Sequence, residues 1–130
     1  LLEINDKHEI GIIEMGANHQ GEIKFLCEIA KPNYGVITNI GKAHLEGFKN
    51  FEGVKKTKKE LYDYIKKTEG QIFINSDDDV LLDISQGIKS IRYGKKGSFI
   101  GSEVSTSVFC EVIYDNYEIK SHLIGDYQLY

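Results

Sequence analysis

Length, composition and charge describe one ordinary globular domain. The 130 residues allow a single moderate hydrophobic core. Hydrophobic residues make up 41% and charged residues 28% of the chain, and the formal net charge is -4, so charge gives no reason to expect a nucleic-acid partner. No apolar run approaches the roughly 20 residues that a membrane helix needs. We therefore expect a soluble, cytoplasmic protein that binds neither nucleic acid nor a membrane.

The ends of the chain and its cysteines give two further expectations. The sequence starts at Leu1 without a methionine and stops at Tyr130 directly after turn-type residues, which favours a piece of a longer protein. Cys27 and Cys110 lie far apart, each in a segment with an apolar pattern. Cysteines in such segments are usually buried free thiols, so this pattern favours free thiols over a disulfide or a pair of metal ligands.

The first structural unit begins with an apolar run. Residues 10–13, with the sequence Ile-Gly-Ile-Ile, predict a strand that is covered on both faces, as in a parallel sheet. A polar loop follows, and apolar residues then recur at helical spacing over residues 23–30. In an open α/β sheet the ligand crevice lies beyond the carboxyl ends of the strands. The first candidates for a functional site are therefore the loop residues Glu14, Asn18, His19 and Gln20.

The same alternation of strand and helix continues to about residue 95. The patterns predict a buried strand over 34–40, a helix over 51–66, a strand over 71–75, a short helix over 78–86 and a strand over 89–93. From residue 96 to residue 130 the segments become short, partly alternating and separated by turn residues, which predicts a small antiparallel sheet. The predicted fold class is α/β, with a mostly parallel sheet flanked by helices and this antiparallel part at the carboxyl end.

One lysine of the helix over 51–66 has an unusual position. On a helical wheel, Val54, Leu61 and Ile65 define the apolar face and Lys58 falls inside it, whereas other lysines of this helix project towards solvent. Burial disfavours the ammonium form, so an inward lysine amine can react with CO2 as a carbamate or act as a base. The alternative is that Lys58 extends its stem along the apolar surface and keeps its amine in water.

Two residues after predicted strands could bind a metal ion. His44 follows the second strand, and its neutral imidazole could bind a divalent cation together with the carboxylate of Glu14 from the neighbouring strand end. Each residue alone is weak evidence, because an isolated loop histidine is more often a surface or capping residue. The acidic run 77–79 is explained as carboxylates at a helix start rather than as a calcium site.

Four segments together are similar to a known family. The sequences EMGANHQGEI, ITNIGKAHLEGF, GVKKTKKELYDY and FINSDDD resemble the central ATP-binding domain of the Mur ligases, and the resemblance covers nearly the whole chain. It implies that Glu14 and His44 help to hold magnesium (Mg2+) and that Lys58 is carried as a carbamate that supports the metal site. It also implies that Asn39 lies near the nucleotide phosphates and that Asn18 and His19 lie near the substrate.

The resemblance further implies an activity. The expected parent enzyme uses ATP to join D-alanyl-D-alanine to a UDP-MurNAc-tripeptide through an acyl phosphate, in peptidoglycan precursor synthesis. The glycine-rich phosphate loop of that family is absent from the chain, so we expect the 130 residues alone to hydrolyse no ATP. Lys59 also departs from the glycine that the family often has there. Two alternatives stay open, namely another ATP-dependent ligase similar to folylpolyglutamate synthase, and a non-catalytic α/β module.

Overall fold

The structure is a computed structural model that describes residues 4–41, 50–97, 102–103, 109–114 and 117–124. Helices and strands alternate along the first part of the chain, and three consecutive strands follow. In chain order they are α1 (Glu22–Ala30), β1 (Tyr34–Val36), α2 (Phe51–Lys67), β2 (Gln71–Asn75), α3 (Asp79–Ile84), β3 (Ser90–Tyr93), β4 (Ser102–Glu103), β5 (Phe109–Tyr114) and β6 (Tyr117–Ile124).

Strands β1, β2 and β3 form a parallel sheet in that order. Tyr34 of β1 pairs with Gln71 of β2, and Ile72 of β2 pairs with Ser90 of β3. Parallel neighbours need a crossover connection, which α2 and α3 provide. Strands β4, β5 and β6 form a second, antiparallel sheet in the same sequential order. The predicted fold class is therefore confirmed.

The hydrophobic core lies between one face of the parallel sheet and helices α2 and α3. Ile72 and Ile74 project from this face of β2, because side chains two apart on a strand share a face. They pack with fully buried residues of the two helices, among which Tyr62 is the largest. Mainly through burial, the pKa of Tyr62 is raised to about 12, and its hydroxyl oxygen lies 3.5 Å from the carbonyl oxygen of Phe73.

None of the helices in the described part of the chain has both the length and the apolar character that spanning a membrane requires.

A glycine on β1 allows α2 to lie close to the sheet. A Cβ atom added at Gly35 would come within 3.2 Å of Cγ of Leu61 and 3.3 Å of a side-chain carbon of Ile65. These distances are tighter than ordinary van der Waals contact, so any larger residue would push the helix outward. Gly35 thus sets the spacing between α2 and β1, and with it the position of the other α2 side chains.

The first predicted strand is wrong. Residues 10–13 are in no strand, and the side chains of Ile10 and Ile12 are 80% and 94% exposed. An apolar run becomes a buried strand only where a neighbouring strand supplies hydrogen bonds and a layer of side chains covers it. No described strand pairs with this run, so hydrophobicity alone does not order it as a strand.

The second predicted strand is shorter and less covered than expected. Its ladder ends at Val36, although Ile37 beyond it is buried in the core. Tyr34 and Val36 are 58% and 47% exposed, because they lie on the face opposite the helices. Phe73 lies on this same open face, with its ring 5.9 Å from that of Tyr34. The described helices therefore cover one face of the parallel sheet, and the prediction of a buried strand over 34–40 is wrong in its length and in the burial of Tyr34 and Val36.

The acidic run after β2 has a structural role. Asp78 is the N-cap of α3, and one of its oxygens accepts hydrogen bonds from the amides of Val80 and Leu81 at 2.9 and 3.0 Å. Asp77 accepts from the amides of Lys95 and Lys96, at 2.7 and 3.3 Å, in the turn after β3. The contacts of Asp78 confirm the predicted carboxylate at a helix start, although the helix is shorter than predicted. The role of Asp77 in the turn after β3 was not predicted.

Gly94 is a position in this turn where a side chain would be strained by both backbone conformation and space. Its φ is +101°, and a Cβ would lie 2.7 Å from a carboxylate oxygen of Asp77 and 2.8 Å from the side-chain oxygen of Asn75. We expect Gly94→Ala to lower the free energy of unfolding by about 1–3 kcal/mol. Urea unfolding measures this loss, and Gly16→Ala is the control, because a Cβ at Gly16 meets nothing within 4 Å. Equal stability of the two variants would contradict the predicted strain.

Candidate active site

Two predicted site residues meet at the carboxyl end of β1. The amino group of Lys58, on α2, donates a hydrogen bond to the backbone carbonyl oxygen of Asn39 at 2.6 Å. Asn39 follows β1 by three residues and its side chain is exposed, whereas Lys58 is half-buried. The structure thus brings Lys58 to the edge of the sheet where α/β proteins bind ligands.

The surroundings of Lys58 alter its acid–base chemistry. Burial lowers the pKa of the Lys58 amine, because a desolvated site disfavours the ammonium form. The neighbouring lysines of α2 are engaged differently: Lys55 forms an ion pair with Asp83 of α3 at 3.0 Å, and Lys59 forms one with Asp63 on its own helix. Contact with Asp83 raises the pKa of Lys55. On one helix, therefore, Lys58 is shifted towards the neutral amine and Lys55 towards the ammonium ion.

The loop before α1 is organised by Glu22. One oxygen of its carboxylate accepts hydrogen bonds from the amides of Asn18 and His19, at 2.7 and 3.1 Å. The other oxygen lies 3.1 Å from Nδ1 of His19. The hydrogen bond from Asn18 is the main cause that lowers the pKa of Glu22, followed by those from His19. Both predicted substrate residues, Asn18 and His19, are exposed and held in one short loop.

A second glutamate fixes the start of α1. The carboxylate of Glu60, on α2, accepts hydrogen bonds from the amides of Gly21 and Lys24 at 2.7 and 3.0 Å. The segment before the loop also contacts α1, because Sγ of Cys27 on this helix lies 3.9 Å from Sδ of Met15. Cys27 is a buried free thiol as predicted, and burial raises its pKa. The side chain of Cys110 lies outside the described residues.

The remaining predicted metal ligands are not brought together by any described contact. Glu14 is exposed in the segment that leads into the loop. His44 lies outside the described residues, between residues 41 and 50. Within the described part of the chain, no group of three or more His, Cys, Asp or Glu side chains could hold a metal ion. The set of Glu14, His44 and Lys58 therefore stays a prediction.

Sequence reasoning missed the two glutamates that order the loop. Glu22 carried a modest signal, because an acidic residue in the first turn of a predicted helix is favoured by the partial positive charge there. Glu60 carried no comparable signal. Its partners are 36 and 39 residues away in sequence, and they are backbone amides that any residue could supply.

The fold is that of an α/β domain with polar groups gathered at the carboxyl edge of its parallel sheet. The model of the Mur ligase middle domain matches residues 1–130, and the chain belongs to this family. The resemblance inferred from the four sequence segments is therefore confirmed.

Relatives and solved structures agree with this assignment. The chain is 33% identical over 115 residues to the UDP-N-acetylmuramoyl-tripeptide--D-alanyl-D-alanine ligase of Buchnera aphidicola subsp. Acyrthosiphon pisum, covering 83% of this chain and 25% of that protein. It superposes on the crystal structure of MurF from Acinetobacter baumannii with a TM-score of 0.82 and 26% identity, covering 98% of this chain and 30% of that one.

A third similar protein is the MurF ligase from Thermotoga maritima, whose crystal structure is a complex with ADP. The TM-score is 0.63 and the identity 27%, over 80% of this chain and 26% of that one. The chain thus spans between a quarter and a third of the length of these three proteins.

The contacts of Glu22 predict a pH dependence of stability. Because its pKa is lowered in the folded state, the stabilisation it provides is present above the ordinary pKa of 4.5 and is lost as pH falls through the lowered value. We expect the gap in unfolding free energy between the unmodified chain and Glu22→Gln to shrink as pH falls from about 6 to about 3. Urea unfolding at several pH values measures the gap. Glu28→Gln is the control, because it also removes one carboxylate from α1. The prediction would be contradicted if the difference in unfolding free energy between the unmodified chain and Glu22→Gln stayed constant with pH.

Proposed function

We propose that this chain forms the middle part of an ATP-dependent ligase that joins D-alanyl-D-alanine to UDP-MurNAc-tripeptide during peptidoglycan precursor synthesis. Support comes from the family, from relatives that carry the name of this ligase, and from the ADP complex of the Thermotoga maritima protein. The chain contributes one side of the active site, at the carboxyl end of β1.

The observation that carries this proposal is the position of the Lys58 amine. It lies 2.6 Å from the carbonyl oxygen of Asn39, and burial lowers its pKa, so the neutral form is more accessible than in a solvent-exposed lysine. A neutral amine adds to CO2: the nitrogen forms a bond to carbon, one carbon–oxygen π bond becomes a carboxylate, and one proton leaves to solvent. Lys58 would then carry a negative charge in place of a positive one.

The donor set of these residues fits a magnesium ion. A carbamate on Lys58 and the carboxylate of Glu14 would offer hard oxygen ligands, which magnesium prefers, and His44 would add an imidazole. When bound, magnesium supplies positive charge that stabilises the transferring phosphoryl group. Lys58 is suited to this set because α2 is fixed against β1 through Gly35, so its amine is held at one place on the sheet edge.

The reaction explains why the chain needs positioned groups rather than a nucleophile of its own. A carboxylate is a poor electrophile, so the tripeptide carboxylate is first phosphorylated by ATP, and the dipeptide amine then displaces phosphate. Phosphoryl transfer depends mainly on alignment and on compensation of charge. We assign Asn39 to the nucleotide side, and Asn18 and His19 to the side of the UDP-MurNAc-tripeptide. All three are exposed and so are accessible to ligands.

Replacement of Lys58 tests the proposal in the full-length ligase. We expect Lys58→Ala to lower kcat for amide formation by about 10²–10³, because the charge that supports the metal site is lost. Bicarbonate or a short carboxylate such as formate should restore part of this activity. Lys56→Ala is the matched control, since Lys56 is exposed on the same helix two residues earlier.

A second measurement reports on the modification itself. In bicarbonate labelled with 13C, the enzyme should show a carbamate carbon signal by NMR that is absent from Lys58→Ala and present in Lys56→Ala. Full turnover by Lys58→Ala would refute the assigned role. Lost turnover without any carbamate signal in the unmodified enzyme would refute the carbamate and leave a role for the amine.

A further inference from the structure

Helix α1 begins with an end that its own residues do not cap. Its N-cap residue is Gly21, which has φ +91° and no side chain to accept a hydrogen bond. The first amides of a helix have no partner within the helix, and together they carry partial positive charge. At this end the partner comes from another helix, because the carboxylate of Glu60 on α2 binds the amides of Gly21 and Lys24 through its two oxygens.

This contact is a bidentate link between two parts of the chain. Each Glu60 oxygen accepts one amide hydrogen, and bonds to a charged acceptor are stronger than those between neutral groups. The two distances, 2.7 and 3.0 Å, are those of well-formed hydrogen bonds. Because both amides belong to the first turn of α1, the link fixes where that helix starts relative to α2.

The link also connects the two halves of the candidate site. Glu60 lies two residues after Lys58 on α2, and Gly21 lies two residues after His19 in the loop. Glu22, the first residue of α1, in turn holds the amides of Asn18 and His19. An unbroken series of hydrogen bonds and covalent neighbours therefore runs from the helix that carries Lys58 to the loop that carries Asn18 and His19.

We propose that Glu60 is a positioning residue for the ligation reaction, which holds the loop over residues 16–21 at a fixed distance from Lys58. The inference rests on the proposed function, since it assigns that loop to the UDP-MurNAc-tripeptide. Glu60 itself touches no substrate. It acts through the amides of Gly21 and Lys24, and its loss allows the loop to move away from the phosphorylation site.

Hydrogen exchange in the full-length ligase tests the structural half of this proposal. We expect the amides of Gly21 and Lys24 to exchange at least tenfold faster in Glu60→Ala. Glu60→Gln keeps the length of the side chain and one acceptor oxygen, so its effect should be intermediate. Glu52→Gln is the matched control, because it removes an exposed carboxylate from the same helix. Unchanged exchange at Gly21 and Lys24 in Glu60→Ala would overturn the inference.

Steady-state kinetics tests the functional half. We expect Glu60→Gln to raise the KM for UDP-MurNAc-tripeptide about tenfold and to leave the KM for ATP unchanged, and Glu52→Gln to change neither. A purely structural role would alter both constants or neither, and either result would overturn the inference. These outcomes can be distinguished from a failure of the proposed function. In that case the unmodified enzyme would form no amide bond, while hydrogen exchange would still report on the contact of Glu60.

Discussion

The close packing of α2 on β1 is the constraint on which the candidate site depends. At Gly35 the sheet has no space for a side chain, and Leu61 and Ile65 of α2 occupy that space. A helix that returns from one parallel strand to the next runs opposite to them, so the early turns of α2 lie near the carboxyl ends of the strands. From the middle of α2, Lys58 reaches Asn39 and Glu60 reaches α1. Both contacts would move if the helix were displaced from the sheet.

The parts of the fold that sequence could predict are those set by local periodicity. The strand over 71–75 and the helix that ends near residue 66 were predicted within one residue, because each has an apolar pattern bounded by polar or glycine residues. The same reasoning indicated that Lys58 faces inward. That orientation follows from helix geometry alone, and the half-buried amine at Asn39 agrees with it.

What sequence could not predict depends on partners that are distant along the chain. Residues 10–13 are as apolar as a buried strand but remain exposed, since strand formation requires a pairing neighbour as well as hydrophobic side chains. Glu60 is an ordinary charged residue in its local sequence, and its function appears only when α1 is placed against α2. For His44 no such comparison exists, because it lies outside the described residues.

The contacts of Glu60 also bear on which ligand the first loop can accept. In many α/β proteins the start of the helix after a strand binds phosphate, because its free amides and partial positive charge attract an anion. In this chain the carboxylate of Glu60 already occupies the amides of Gly21 and Lys24, and Glu22 occupies those of Asn18 and His19. A phosphate at this position would meet two carboxylates rather than free donors. The loop is therefore better suited to neutral, hydrogen-bonding groups of a ligand than to a phosphate.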